Sequence, residues 1–255
     1  MGHKHHREHE RERNRETIFG VNPVTEALKA GRRKFIRIIV KEGHRKGGPV
    51  QNVIEAAEQR HIKLDFVSMD EVARVAGAEG HQGIAAVVTP PPYVGLDELI
   101  KRCLASPLPT LAVLDSVMDP RNLGAIIRSA EAFGLSGVIF PSDRAAAYTP
   151  IAAKASAGAG ERMNLCMVTN IAETIRRLRD EGFACVALEE DAPGDFTKAP
   201  DGPLAVVLGG EGTGVRPLVL KRCDYAAKIP MRGKIGSLNV SAAAAIGFYV
   251  AAQRG

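Results

Sequence analysis

The sequence predicts an α/β protein in two folded parts, a small α/β domain followed by a larger domain built on a parallel sheet. Three observations carry that prediction. From residue 109 onward, short all-apolar segments alternate with helical ones, the pattern of a parallel sheet covered on both faces. A shorter set of strands and helices fills residues 17–89. Between them Pro90, Pro91 and Pro92 stand in a row, and prolines neither donate to a sheet nor sit inside a helix.

In chain order, residues 1–16 (MGHKHHREHERERNRE) contain no aliphatic side chain after Met1, so they are expected to form a disordered tail. Its four histidines, His3, His5, His6 and His9, read as a solvated run rather than a metal site. IFGVNPVTEALKAG opens the first domain, with Val24, Ala27 and Leu28 on one helical face and Gly31 as the stop. Strands are expected at 35–40, 62–67 and 83–88, with an amphipathic helix over 50–61. Residues 90–108 are expected to connect this domain to the next as an extended linker. The second domain, 109–255, should place strands at TLAVLD (110–115), GVIF (137–140), FACVAL (183–188), LAVVLG (204–209) and YAAKIP (225–230). Helices are expected over 122–133, over 171–181 and from about Asn239.

Composition narrows the function classes. Hydrophobic residues make up 45% and charged residues 25% of the chain, ordinary for a soluble globular protein. No apolar run reaches eighteen residues and the N-terminus is too charged for a secretory signal, so neither a membrane nor secretion is expected. Cys103, Cys166, Cys185 and Cys223 are scattered without a CxxC pair, which fits a reducing cytoplasm and no structural metal. A net charge of +5 and a pI near 9.1 favour a polyanionic partner. Between Lys29 and Lys46 eight basic residues face a single acid, Glu42, and a phosphate-contacting patch is preferred there over a merely solvated face. Arg32, Arg33, Lys34 and Arg37 are its candidate RNA contacts.

Three segments carry chemistry. In a doubly covered parallel sheet, ligands sit beyond the carboxyl ends of the strands, and each segment leaves a strand at that end. LDSVMDPRNLGAIIRSAEAFG (114–134) puts Ile126, Ile127, Ala130 and Phe133 on a core stripe, which leaves Asn122, Gly124 and Arg128 unexplained by packing. Gly124 in a first helical turn implies that something approaches its backbone, and Arg128 suits a phosphate. LAVVLGGEGTGVRP (204–217) runs a buried strand into four glycines around Glu211, a backbone cradle without the acid a dinucleotide fold would place some twenty residues on. A tight turn alone would not require Glu211. IPMRGKIGSLNVSAAAAIGFY (229–249) enters an alanine-rich helix through Ser237-Leu238-Asn239, where Ser237 or Asn239 would also serve as a plain N-cap.

In order and wording these segments resemble the signature motifs of the SpoU/TrmH family of RNA ribose methyltransferases: N-x-G-x-x-x-R, then G-x-E-G-x-G, then IPM…SLNVS. KASAGAGE (154–161), IFGVNPVTEAL and HQGIAAVV extend the likeness to residues 17–251. They point to the subgroup with a small ribosomal-protein-like RNA-binding domain, whose best-known members methylate guanosine in large-subunit ribosomal RNA. The resemblance implies a deep trefoil knot in the catalytic domain, where topology rules alone would argue against any knot. It also implies S-adenosyl-L-methionine as cofactor, no metal, ribosomal RNA as partner and a homodimer whose active site uses both subunits. Gly209, Ile229, Met231 and Leu238 would hold the cofactor, and Asn122, Arg128, Glu211, Ser237 and Asn239 would line the reaction site. Arg128 is the family's usual base, yet a guanidinium stays protonated and has no acceptor, so binding phosphate and stabilising the developing alkoxide suit it better. Transfer RNA as substrate, an RNA-binding assembly or resistance factor, and a nicotinamide-dependent dehydrogenase are the competing readings.

Overall fold

The computed structural model describes residues 15–234 and 236–254. Most of the expected tail, with its histidines, lies outside the described residues. Glu16, assigned to that tail, instead begins a strand. The described residues divide into two compact units, one of those up to residue 92 together with 157–162, the other of 93–156 together with those from 163 on.

In the first unit, β1 (Glu16–Phe19), α1 (Val21–Ala30), β2 (Phe35–Lys41), α2 (Pro49–Gln59), β3 (Leu64–Val67), α3 (Met69–Ala76) and β4 (Ile84–Val88) follow in order. The sheet order is β1-β4-β2-β3, with β3 parallel to β2 and the other pairs antiparallel. Gly31 ends α1 as expected, at φ 63°, its N–H closing on the Ala27 carbonyl. Ser68 caps α3 by accepting from the Glu71 N–H. Alternation along the strands sends Phe19, Ile39 and Ala85 to one face of the sheet, where they bury Val72 and Ala76 of α3.

The second unit contains α4 (Leu96–Leu104), β5 (Thr110–Asp115), α5 (Pro120–Ala132), β6 (Gly137–Pro141), α6 (Pro150–Ala155), β7 (Leu165–Val168) and α7 (Ile171–Asp180). It continues through β8 (Ala184–Leu188), β9 (Gly194–Asp195), β10 (Leu204–Gly209), α8 (Pro217–Leu220), β11 (Tyr225–Lys228) and α9 (Val240–Ala252). All seven strands are parallel, in the order β7-β6-β5-β10-β8-β11-β9. Every residue of β5, and all of β10 but its last, is buried, which is why both read as unbroken apolar runs. The chain runs outward from β5 through β6 to β7 and resumes at β8. β10 then enters between β5 and β8, bringing its terminal glycines to the reversal of strand order where open α/β sheets place ligands.

Two expectations change here. Residues 90–108 are not an extended linker throughout, because α4 lies inside them and buries Leu99, Ile100 and Cys103 with Leu111, Val113 and Ile139. Their spacing is helical, and the prolines before them obscured it. Gly124 is explained by packing: a Cβ there would lie 2.5 Å from the Ala152 carbonyl oxygen and 2.6 Å from Ala155 Cβ, so α6 is what approaches its backbone. Among the described residues no helix is long and apolar enough to cross a membrane, and no group of His, Cys, Asp and Glu could hold a metal ion.

Candidate active site

Beyond the carboxyl ends of β8, β10 and β11 lies a cavity of about 730 Å³. Its floor is the turn that follows β10. Gly214 donates its N–H to the Gly210 carbonyl at 3.1 Å and closes the turn on itself. A Cβ on Gly209 would fall 2.0 Å from the Gly214 carbonyl carbon, and one on Gly210 would fall 2.3 Å from the Ser116 carbonyl oxygen. Gly212 and Gly214 adopt φ of 72° and 61°, where a side chain is strained. The glycines are thus set by backbone crowding as well as by any ligand.

Two carboxylates fasten this turn from outside. Glu189 accepts the Val215 N–H at 2.6 Å. Asp115, the last residue of β5 and fully buried, accepts from Arg216 through its backbone N–H and Nε, both at 2.8 Å, and through Nη2 at 2.6 Å. These hydrogen bonds to Asp115 hold the Arg216 guanidinium above its ordinary pKa. Neither Asp115 nor Glu189 was singled out from sequence. The signal for Asp115 was an acid ending an otherwise apolar strand.

The structure gathers most of the predicted reaction residues. Glu211 Oε1 accepts from Asn122 Nδ2, and from Asn239 Nδ2 at 3.3 Å. Asn239 serves both readings at once, since its Oδ1 also caps α9 by accepting from the Ser241 N–H at 2.9 Å and the Ser241 hydroxyl at 2.6 Å. Asp119 caps α5 by accepting the Arg121 N–H, which fixes the helix that carries Asn122. Glu211, Ser237 and Asn239 line the cavity, as do Gly209, Ile229, Met231 and Leu238. Leu188, Leu208 and Leu220 complete its apolar wall, while Glu189, Glu190 and Asp191 give one side a negative charge.

Arg128 does not join them. It sits about 9 Å along α5 from Asn122 and roughly 120° round it, by ideal helix geometry. It is exposed, and its side chain makes no hydrogen bond among the described residues. On the other side of the same turn a second cavity of about 510 Å³ opens between Ser116, Met118, Arg144 and Arg216, with Glu211 and Thr213 shared by both.

The candidate RNA contacts of the first unit fare differently. Arg33 is buried, giving Nε and Nη2 to the two oxygens of Glu161 at 2.7 and 2.9 Å and Nη1 to Glu16 at 2.9 Å. Its guanidinium is consumed inside the protein and is not open to phosphate, which corrects the reading from charge density. Arg32 donates to the carbonyls of Arg162 and Pro92, and Arg37 pairs with Asp65 at 3.0 Å. Lys34 alone of the four is fully on the surface.

Residues 109–249 match the SpoU rRNA Methylase family, and residues 17–94 match the domain described as RNA 2'-O ribose methyltransferase substrate binding. The chain belongs to the SpoU family of RNA methyltransferases. It is 38% identical over 235 residues to the putative TrmH family tRNA/rRNA methyltransferase YacO of Bacillus subtilis, covering 91% of this chain and 93% of that one. It is 36% identical to the 23S rRNA (guanosine-2'-O-)-methyltransferase RlmB of Acinetobacter baylyi, over 94% of this chain and 97% of the relative. Among solved structures, the SpoU methyltransferase AviRb from Streptomyces viridochromogenes, in complex with AdoMet, superposes with a TM-score of 0.78 at 23% identity. That match covers 95% of this chain and 91% of the other. An RNA 2'-O ribose methyltransferase structure gives the same TM-score at 26% identity, over 96% and 90% of the two chains.

Proposed function

We propose that this protein transfers the methyl group of S-adenosyl-L-methionine to a ribose 2′-hydroxyl, and that the acceptor is a guanosine of 23S ribosomal RNA. The single observation that carries the reaction is the convergence of Asn122, Glu211 and Asn239 at the rim of the glycine-floored cavity. The nucleoside class is supported by the relative from Acinetobacter baylyi, which matches nearly end to end.

The cavity suits the cofactor. Its volume lies within the range of small-molecule sites, roughly 300–1,000 Å³. Its floor is closed to side chains, its walls are apolar, and the acidic flank of Glu189, Glu190 and Asp191 complements a positively charged ligand. Gly209, Ile229, Met231 and Leu238 would hold it, largely through backbone groups and apolar contact. When bound, the cofactor supplies an electrophilic methyl. The residues of this chain then have to orient one hydroxyl in line with that methyl, and positioning supplies much of the acceleration. Glu211, fixed between two amides, and Ser237 are placed at that rim. The second cavity beneath Glu211 would admit the acceptor nucleotide, its phosphate facing Arg144.

We place Arg128 in the active site of a second copy of the chain. Its isolation in one protomer is then expected, and it would bind the phosphate beside the acceptor ribose and stabilise the developing alkoxide. The outer face of α9, with Ile246 and Tyr249 exposed, together with exposed Met231 and Leu238, offers the apolar surface such a homodimer needs. The knot implied by the family likeness belongs to the same proposal, in the segment from β10 to α9.

Mapping 2′-O-methylation across ribosomal and transfer RNA, with wild type and Glu211→Ala added to RNA lacking the modification, tests the reading. One new methylated guanosine in 23S RNA, absent with the variant, is expected. Methylation confined to the transfer RNA pool would move the acceptor to the class that the tRNA/rRNA naming of the Bacillus relative allows.

A further inference from the structure

The first unit carries an exposed aromatic that neither its core nor the proposed reaction uses. Phe66 lies on the edge strand β3, in register with fully buried Val40, yet it is 46% exposed. The His44 ring stacks on it, centroids 6.0 Å apart and planes 21° from parallel.

That stack is braced. Gln51 donates its amide to Glu55 at 3.1 Å, which turns its oxygen to His44 Nε2 at 3.0 Å. A carboxylate only accepts, so this chain of bonds places the imidazole proton on Nε2 and holds the ring plane still. A large aromatic held flat at a sheet edge costs exposed apolar surface, and core packing does not explain it.

Basic side chains border it, with Glu42 and Asp65 as the neighbouring acids. Lys41 ends β2, and Arg45 and Lys46 lie on the loop from there to α2; all three are exposed, and their side chains make no hydrogen bond or ion pair among the described residues. Lys63 stands three residues before Phe66 and reaches Asp65 at 3.2 Å. Lys41, Arg45 and Lys46, unlike Arg33, are free to meet a polyanion. A flat aromatic face bordered by basic side chains is the arrangement that binds a single-stranded or looped-out base, stacking the base while the cations follow its phosphates.

We infer that Phe66, backed by His44, is a stacking platform for an unpaired RNA base, with Lys41, Arg45 and Lys46 on the flanking phosphates. This rests on the reading of the protein as an RNA enzyme, and it moves the expected contact surface from the 32–37 segment to the 41–48 loop and β3.

The test uses the full chain and two RNA hairpins that differ by one looped-out 2-aminopurine. Wild type should bind the looped hairpin more tightly than the fully paired one and quench its fluorescence. Phe66→Ala should weaken binding to the looped hairpin by about 5- to 150-fold, the range for losing one base–aromatic stack, and leave the paired hairpin unchanged. Phe66→Trp should retain both binding and quenching. A double charge reversal, Arg45→Glu with Lys46→Glu, should weaken both hairpins and flatten the salt dependence. Because Phe66 is exposed, S-adenosylmethionine affinity should stay at the wild-type value in every variant, which verifies folding. Phe66→Ala binding the looped hairpin like wild type overturns the inference and leaves the enzyme reading intact. Wild type binding neither hairpin, with cofactor affinity retained, overturns both this inference and the RNA reading.

Discussion

The glycine turn after β10 and the basic run around α1 and β2 both drew attention as sequence, and they behave in opposite ways. In the turn, residue identity follows from local geometry: Gly209 and Gly210 are glycine because backbone lies where their Cβ atoms would be. Glu211 is held at the apex by two amides. In the basic run, the 32–37 segment was picked by charge density, and there density misled. Arg33 is spent on Glu161 and Glu16, and Arg37 on Asp65. A motif whose residues constrain one another through the backbone transfers from sequence to structure. A count of charges does not, because each cation's partner is set by tertiary contact.

That contrast can be broken in several places. The largest effect on cofactor binding should come from Gly209→Ala, whose methyl would sit 2.0 Å from backbone. S-adenosylmethionine binding by calorimetry should be lost and unfolding eased by about 3 kcal/mol, the upper end for overpacking. Gly212→Ala meets no atom and should lose only about 1 kcal/mol through its positive φ. Arg33→Ala, which strands Glu161 in a buried site, should lower stability by about 3–5 kcal/mol in urea unfolding. Exposed Lys34→Ala should stay within about 0.5 kcal/mol of wild type. An equal, small loss for both would show that the buried pair is not structural. Glu211→Ala should slow single-turnover methyl transfer by roughly 100- to 1,000-fold, the scale of one lost polar group at a reacting centre. Its cofactor affinity should change by far less.

A pH-dependent effect concerns the cysteines. All four are buried, and burial pushes Cys103 and Cys166 up to about 11, Cys223 up to about 12 and Cys185 upward as well. A thiol whose folded pKa is raised stabilises the fold fully below its unfolded value near 9 and loses that contribution as pH climbs through the folded one. Melting temperature should therefore decline between about pH 9 and 11. Iodoacetamide at pH 8 should label none of the four until the protein unfolds.

Much of the architecture was legible because burial on both faces writes itself as unbroken apolar runs. TLAVLD and LAVVLG became β5 and β10 with the same ends. Gly31 and Asn239 marked helix boundaries through capping chemistry that acts within a few residues. What stayed hidden depends on distant partners. The four residues of β1 have no period of their own and become a strand by pairing with β4, about seventy residues on. Arg33 is buried because of a carboxylate 128 positions away, and Asp115 matters through Arg216, 101 positions away. Asn122, Glu211 and Asn239 were picked from their motifs, and both asparagines lie within hydrogen-bond reach of Glu211. Gly124 was left unexplained by packing, and it is α6 that approaches its backbone.

Asn239 holds the first turn of α9 with one end of its amide and Glu211 with the other. Fraying of that helix end and release of Glu211 are therefore coupled. A ligand that settles against Glu211 should slow amide hydrogen exchange at Ser241 and Ala242, which it need not touch. By linkage, the formed helix start raises the affinity of such a ligand by the same factor as the ligand stabilises the helix start.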